Sequence, residues 1–179
     1  ETENNLRLKE TFKVVPFQKK SITLIQTFDN KINEKLIIKS RKVTEKRLEL
    51  CGIKKIEEII IPHKENILCN KIQICINRNV DIILIIGPHA ITHIKDVIPN
   101  AISKTGAKII RFGIPVEPGN LLLLSKFKSS NNDIYIIGMP SCAKSPKENG
   151  LDWVLWRILC NINFKNSNLN ELSVGGLIK

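Results

Sequence analysis

Apolar residues along this chain recur with two periods, and their alternation predicts the elements. DIILIIG, residues 81–87, is a continuous apolar run, the pattern of a strand covered on both faces as in a parallel sheet. SITLIQ (21–26), IKKIEEIIIP (53–62), AKIIRF (107–112), LLLLSKF (121–127) and DIYIIGM (133–139) complete the core strands, and FKVVPF (12–17) predicts one more strand ahead of them. Helical spacing falls between the strands. Residues 40–51 carry Val43, Leu48 and Cys51 behind Ser40, with Gly52 as the stop. His63 is predicted to open a helix to about Arg78, with Leu68, Ile72, Cys75 and Ile76 on one face. A further helix runs from Asp96 to about Thr105, and ENGLDWVLWRILCNI (148–162) is the last. The segment SSNND reads as a hairpin turn.

Strands alternating with helices at this spacing predict an α/β fold, a three-layer αβα sandwich around a mostly parallel sheet. The 179 residues are expected to form a single domain, with a core over 12–162 and peripheral segments at 1–11 and 163–179. The polar tail from residue 163 is expected to be largely irregular.

Charge changes the picture less than its size suggests. The formal net charge is +11, which raises the question of a nucleic-acid partner. Lysine outnumbers arginine 22 to 6, however, and 31 isoleucines and 18 asparagines accompany it, the signature of AT-rich codon usage that spreads lysine over a surface. No dense basic block and no basic–aromatic interleaving stands out, so a small phosphorylated ligand is the preferred anionic partner and nucleic acid is not expected. The opening ETENNLRLKE is polar and no apolar run reaches the roughly 20 residues of a bilayer span, so a cytoplasmic protein without a membrane partner is expected. Opening on Glu1, the sequence is compatible with one module of a longer protein. Five scattered cysteines without a CxxC pair suit a reducing compartment. Cys51, Cys69, Cys75 and Cys160 read as small core residues, and Cys142 stands apart in a loop.

Ligands of open parallel sheets sit beyond the carboxyl ends of the strands. Four connections have that address here: residues 27–40, 87–95, 113–120 and 138–147. Three of them carry both Gly and Pro, which lets backbone amides approach a ligand. In the third loop Pro115 and Pro118 fix the backbone around Glu117, while Gly119 and Asn120 permit a turn; a plain structural turn is the competing reading. Ser40 and Arg41, read as a helix N-terminus, offer a phosphate position, against simple surface solvation for Arg41. His89 and His93 stand four apart without a third ligand at zinc spacing, so no zinc site is expected there.

These loops carry a specific resemblance. GPHAITHIKDVIPNAISKTGAKIIRFGIPVEPGNLLLL followed by GMPSCAKSPKENGLDWVLWRIL is similar to the molybdopterin-binding domain that precedes molybdenum-cofactor cytidylyltransferase domains in many bacteria. RKVTEKRLELCG and the closing SVGGLI resemble the same family, so the likeness runs from about residue 12 to 178. It implies a fold shared with proteins that adenylate molybdopterin or insert molybdate into it. The cofactors implied are molybdopterin or the molybdenum cofactor, together with Mg²⁺ carried on a nucleotide.

The residues implied to meet that ligand are Gly87, Pro88 and His89, then Asp96, and the Pro115–Asn120 turn. Gly138, Pro140, Ser141, Cys142, Lys144 and Ser145 form the last group. Relatives are richer in Gly and Ser than GPHA, and carry Gly at Ser141 and Arg at Lys144. Lys144 would meet a terminal phosphate as a point charge. Asp96 matches the family's acidic residue, which can hold Mg²⁺ on a nucleotide; its bland reading is a helix N-cap. The Gly-rich nucleotide loop that opens a cytidylyltransferase half has no counterpart here, so that activity is not expected of this chain alone.

The preferred reading is a binding module in molybdenum-cofactor maturation, holding a pterin or pterin nucleotide. Its rivals are a Mg²⁺-dependent adenylyltransferase or nucleotide pyrophosphatase using Asp96 and Glu117, and a nucleic-acid-binding protein. The resemblance also implies a homo-oligomer and a fused or separate nucleotidyltransferase as partner.

Overall fold

A computed structural model describes residues 14–130, 132–162, 169, 170 and 172. Six strands form one sheet in the order β2-β1-β3-β6-β5-β4: β1 (Ile22–Phe28), β2 (Glu57–Pro62), β3 (Ile82–Ile86), β4 (Lys108–Phe112), β5 (Leu123–Lys128) and β6 (Asp133–Gly138). β1 pairs parallel with β2 and β3, and β3 with β6. β5 alone runs against its neighbours, bridging β6 and β4 antiparallel. The sheet is therefore mostly parallel, as the buried apolar runs require.

Helices α1 (Glu34–Glu49), α2 (Glu65–Asn77), α3 (Val97–Lys104) and α4 (Gly150–Leu159) cover it. Right-handed crossovers fix their faces. The β1 to β2 step moves one way along the sheet, whereas the β2 to β3 and β3 to β4 steps move the other, so α1 must lie opposite α2 and α3. The packing follows. Leu48 of α1 and Leu151, Val154, Leu155 and Ile158 of α4 share one buried cluster with Leu24, Leu84 and Ile86. Leu68 and Ile72 of α2 and Ile98 and Ile102 of α3 share the other with Ile25, Ile83 and Ile85. Adjacent residues of β3 thus feed opposite layers, which is why that strand had to be apolar throughout.

Several expected boundaries move. α1 begins at Glu34, because Asn33 caps it by accepting from the Leu36 amide at 3.1 Å. Ser40 and Arg41 therefore lie inside a helix and not at its N-terminus. His63 does not open α2, whose N-cap is Lys64. Residues 14–17 of the expected FKVVPF strand form no strand, and Val14 is 99% exposed; Thr11 to Lys13 fall outside the described residues, as do 1–10. Most of the tail is likewise outside them, but Leu169 and Leu172 are buried in the α1–α4 cluster. That part of the tail is core and not irregular periphery.

Candidate functional site

Strand order turns between β1 and β3, since the chain leaves β1 for one side and builds the rest of the sheet on the other. Such a switch point leaves a crevice at the carboxyl ends of the two strands. A hollow of about 190 Å³ lies there. Its walls are the end of β1 (Gln26, Thr27, Phe28), the loop and first turns of α1, the end of β3 with Gly87 and Pro88, and Lys144 from the last loop.

Of the residues read from the sequence, Ser40, Gly87, Pro88 and Lys144 line this hollow. Ser40 reaches it from within α1: its side chain is buried at 1% exposure and its Oγ has no hydrogen-bond partner. Lys144 ends the short helix at Ser141–Lys144, and its Nζ donates to Gly87 O at 3.0 Å and Pro88 O at 3.4 Å. Desolvation lowers its pKa. An ammonium has three protons, so one donor is left over for a ligand. A buried hydroxyl without a partner and a desolvated cation with a spare proton make an anion-friendly wall.

The other residues are placed elsewhere. Arg41 is engaged by Glu45 at 2.8 Å and Glu58 at 3.0 Å, so it holds α1 to β2, and it does not line the hollow. Asp96 stands at the N-cap of α3 but does not cap it; its Oδ2 turns back to accept the Thr92 and His93 amides, both at 3.0 Å. His89 Nε2 meets Asp29 Oδ2 at 2.8 Å on the outer lip. The Pro115–Asn120 loop packs on the start of α4, with Gly150 N donating to Pro118 O at 2.9 Å and a cis bond between Glu117 and Pro118. Gly138 lies on the α2–α3 face of the sheet, where a Cβ would come within 2.5 Å of Ile91 Cδ1. Pro140, Ser141, Cys142 and Ser145 belong to the loop that carries Lys144, without lining the hollow. Burial pushes the Cys142 thiol up, away from the thiolate that a nucleophile needs.

Two pairs absent from the sequence reading hold the site. Arg47 of α1, 6% exposed, pairs with Asp152 of α4; its Nη2 donates to Ser145 O and, at 3.0 Å, to Lys147 O. Asp152 in turn accepts the Asn149 amide at 2.8 Å and Asn149 accepts that of Leu151, a capping box. The Asn149–Asp152 spacing was a readable signal. Nothing local marked Arg47 among 28 cations. The second pair is Thr27 Oγ1 and His63 Nδ1, 2.7 Å apart at the ends of β1 and β2.

Burial holds the His63 imidazole below its ordinary value of 6.5, with His89 in the same sense and the Asp29 and Asp96 carboxylates in the opposite one. The unfolded chain then binds the proton more readily than the folded one. Stability contributed by this group is complete above about pH 6.5 and is lost as pH falls toward the folded value. Urea unfolding of the native chain at several pH values should show that acid loss, and His63→Gln should flatten it. Equal pH slopes for the two would contradict the assignment.

The fold and this rim define an open α/β sheet protein with a hollow at its switch point. The same architecture is found in a solved structure described as the tungsten cofactor synthesizing protein MoaB from Pyrococcus furiosus, with a TM-score of 0.53 and 11% sequence identity over 87% of this chain and 98% of that one. The chain has a MoaB-like fold. No family model matches it, and no curated protein matches its sequence. Among the described residues, no helix is long and apolar enough to cross a membrane.

Proposed function

We propose that this chain acts as a single domain that binds molybdopterin or a molybdopterin nucleotide during molybdenum-cofactor assembly. The observation that carries the reading is the hollow at the switch point, which Ser40 and Lys144 line together and where the Lys144 ammonium keeps one proton beyond its two carbonyl contacts. The MoaB-like fold and the family resemblance of the rim loops support it. At about 190 Å³ the hollow is smaller than the roughly 300 Å³ and upward of whole-ligand pockets, so it accepts one end of such a ligand. A phosphate against Lys144 and Ser40, with the remainder over the Gly87–Pro88 lip, is the arrangement these donors favour. We further infer a homo-oligomer, as the resemblance implies.

The competing enzyme reading places Mg²⁺ through Asp96 and Glu117. Neither lines the hollow, Asp96 Oδ2 is already held by two amides, and no group of three metal-ligating side chains occurs among the described residues. The geometry therefore favours binding over nucleotidyl transfer or pyrophosphate cleavage.

Mass spectrometry of natively purified protein should reveal a co-purified pterin, and titration with a pterin phosphate should quench pterin fluorescence. Lys144→Gln is expected to weaken that binding on the order of tenfold to a hundredfold, the worth of one charge-assisted hydrogen bond. Unchanged affinity in the variant, or no pterin binding at all, would refute the reading.

A further inference from the structure

Gln26 lines the hollow from β1 and exposes only 1% of its surface. The strand fixes the face it occupies. Leu24, two residues earlier, packs in the α1–α4 cluster, and Ile86, the partner of Gln26 across on β3, belongs to the same cluster and lines the same hollow. Gln26 therefore lies on the side of the sheet that α1 covers, the side that carries Ser40.

The orientation of its amide is fixed as well. Nε2 donates to Ile37 O of α1 at 3.0 Å and to Glu58 Oε1 of β2 at 2.7 Å. A backbone carbonyl only accepts, so the group turned toward Ile37 has to be the NH2. Glu58 agrees, because its other oxygen accepts from Arg41 Nη1 at 3.0 Å. Both amide protons are then placed, and Oε1 is the free end. Among the described residues it accepts no hydrogen bond, and the buried unpartnered atoms sealed from solvent there are Ser40 Oγ and Arg47 Nε, not this oxygen. Gln26 meets open space where it lines the hollow, so Oε1 opens there.

The walls thus make opposite demands. Lys144 has one proton left for an acceptor, whereas Gln26 Oε1 needs a donor. A space of about 190 Å³ holds one end of a ligand, so the same group meets both walls. Sulfate, and the phosphates of a diester or a diphosphate linkage, offer only acceptors near neutral pH. A terminal phosphate that retains a P–O–H offers acceptors to Lys144 and a donor to Oε1.

We propose that Gln26 is a specificity-determining residue, making the hollow a site for a terminal phosphate that bears a proton, on a phosphomonoester or as inorganic phosphate, against sulfate and phosphodiesters. The inference rests on the hollow receiving the phosphate end of the ligand, and it narrows the choice left open above. A pterin with a free terminal phosphate is taken in preference to one whose phosphate is joined to a nucleotide. The charged groups around the amide are Glu58 of β2 and Arg41 of α1 behind it, and Asp29, Lys31 and Lys144 on the walls of the hollow.

The test uses the whole chain and calorimetry with two pairs of probes matched in charge. At about pH 8 inorganic phosphate and sulfate are both mainly dianions, and only phosphate carries a proton; at about pH 5 methyl phosphate and dimethyl phosphate are both mainly monoanions, and only methyl phosphate carries one. In each pair the proton-bearing probe is expected to bind about tenfold tighter, the worth of one hydrogen bond. Gln26→Met, of similar length but without that acceptor, should bring both ratios to about one, with its fold checked by circular dichroism. Should the variant not fold, the two ratios of the native chain still decide. If Lys144→Gln weakens all the probes while the native ratios stay within twofold of one, the hollow stands as an anion site and this inference is overturned. A tenfold ratio that survives in folded Gln26→Met assigns the discrimination to another wall residue and overturns it too. If no probe binds, or Lys144→Gln changes none of them, the hollow is not the ligand site and both readings fall.

Discussion

Arg47→Ala should lower the stability of this protein by about 3–5 kcal/mol, read as a shift of the urea midpoint without a change of slope. Arg47 and Asp152 expose 6% and 7% of their side chains, so removal of the guanidinium leaves a carboxylate in a nearly dry site. The Asn149 amide, at 2.8 Å, is then its remaining hydrogen-bond partner. The carbonyls of Ser145 and Lys147 lose their Arg47 donor at the same time. A loss of this size is a large fraction of the 5–15 kcal/mol typical of a folded domain. Arg47→Lys keeps the charge but not the planar fork, and should fall between the two. The same residue ties α1 to the loop that carries Lys144, so the alanine variant should also bind the pterin phosphate more weakly wherever it remains folded. A midpoint shift equivalent to less than about 1 kcal/mol would mean that this ion pair contributes no more than an exposed one.

Gly119→Ala should cost about 3 kcal/mol or more. Two effects combine at this position. Its φ of +123° lies in a region that residues with a Cβ rarely adopt, and the added carbon would sit 2.5 Å from Gly150 N and 2.8 Å from Gly150 Cα. Those are backbone atoms of the first turn of α4, which cannot swing aside as a side chain would. Gly52 supplies the control: its φ is +79°, but nothing lies within 4 Å of an added carbon, so Gly52→Ala should cost only about 1–2 kcal/mol of backbone strain. Equal urea midpoints for the two variants would show that the close approach between the Pro115–Asn120 loop and α4 is not what makes Gly119 necessary. The sequence had left this loop open between a ligand contact and a structural turn. Its packing on α4 accounts for Gly119.

The rim shows most clearly where reading by pattern stops. The loops after β1, β3, β4 and β6 were expected at one end of the sheet and are there, because parallel strands bring their carboxyl ends to the same edge. Which loop faces the hollow was not legible. Gly87, Pro88 and Lys144 line it whereas Glu117 does not, because α4 draws the 115–120 turn to itself. Ser40 entered the reading as the start of a helix, reaches the hollow from well inside α1, and keeps its hydroxyl unpartnered there. The missed first turns of α1 had a signal in Asn33 and Glu34, a cap and an acidic residue at the positive end of the helix dipole, but KINEKLII hides its helical face behind adjacent apolar residues.

The sequence by itself determined the layers. Unbroken apolar runs demanded strands buried on both faces, the intervening helical spacings demanded covers for them, and parallel order placed the loops at one rim. These are decided by local periodicity, which each segment carries within itself. Only the tertiary structure decided the partners. Arg47 meets Asp152 across 105 residues and Thr27 meets His63 across 36. Such pairs form because packed helices and strands bring distant positions within bonding distance and exclude the water that would otherwise satisfy them.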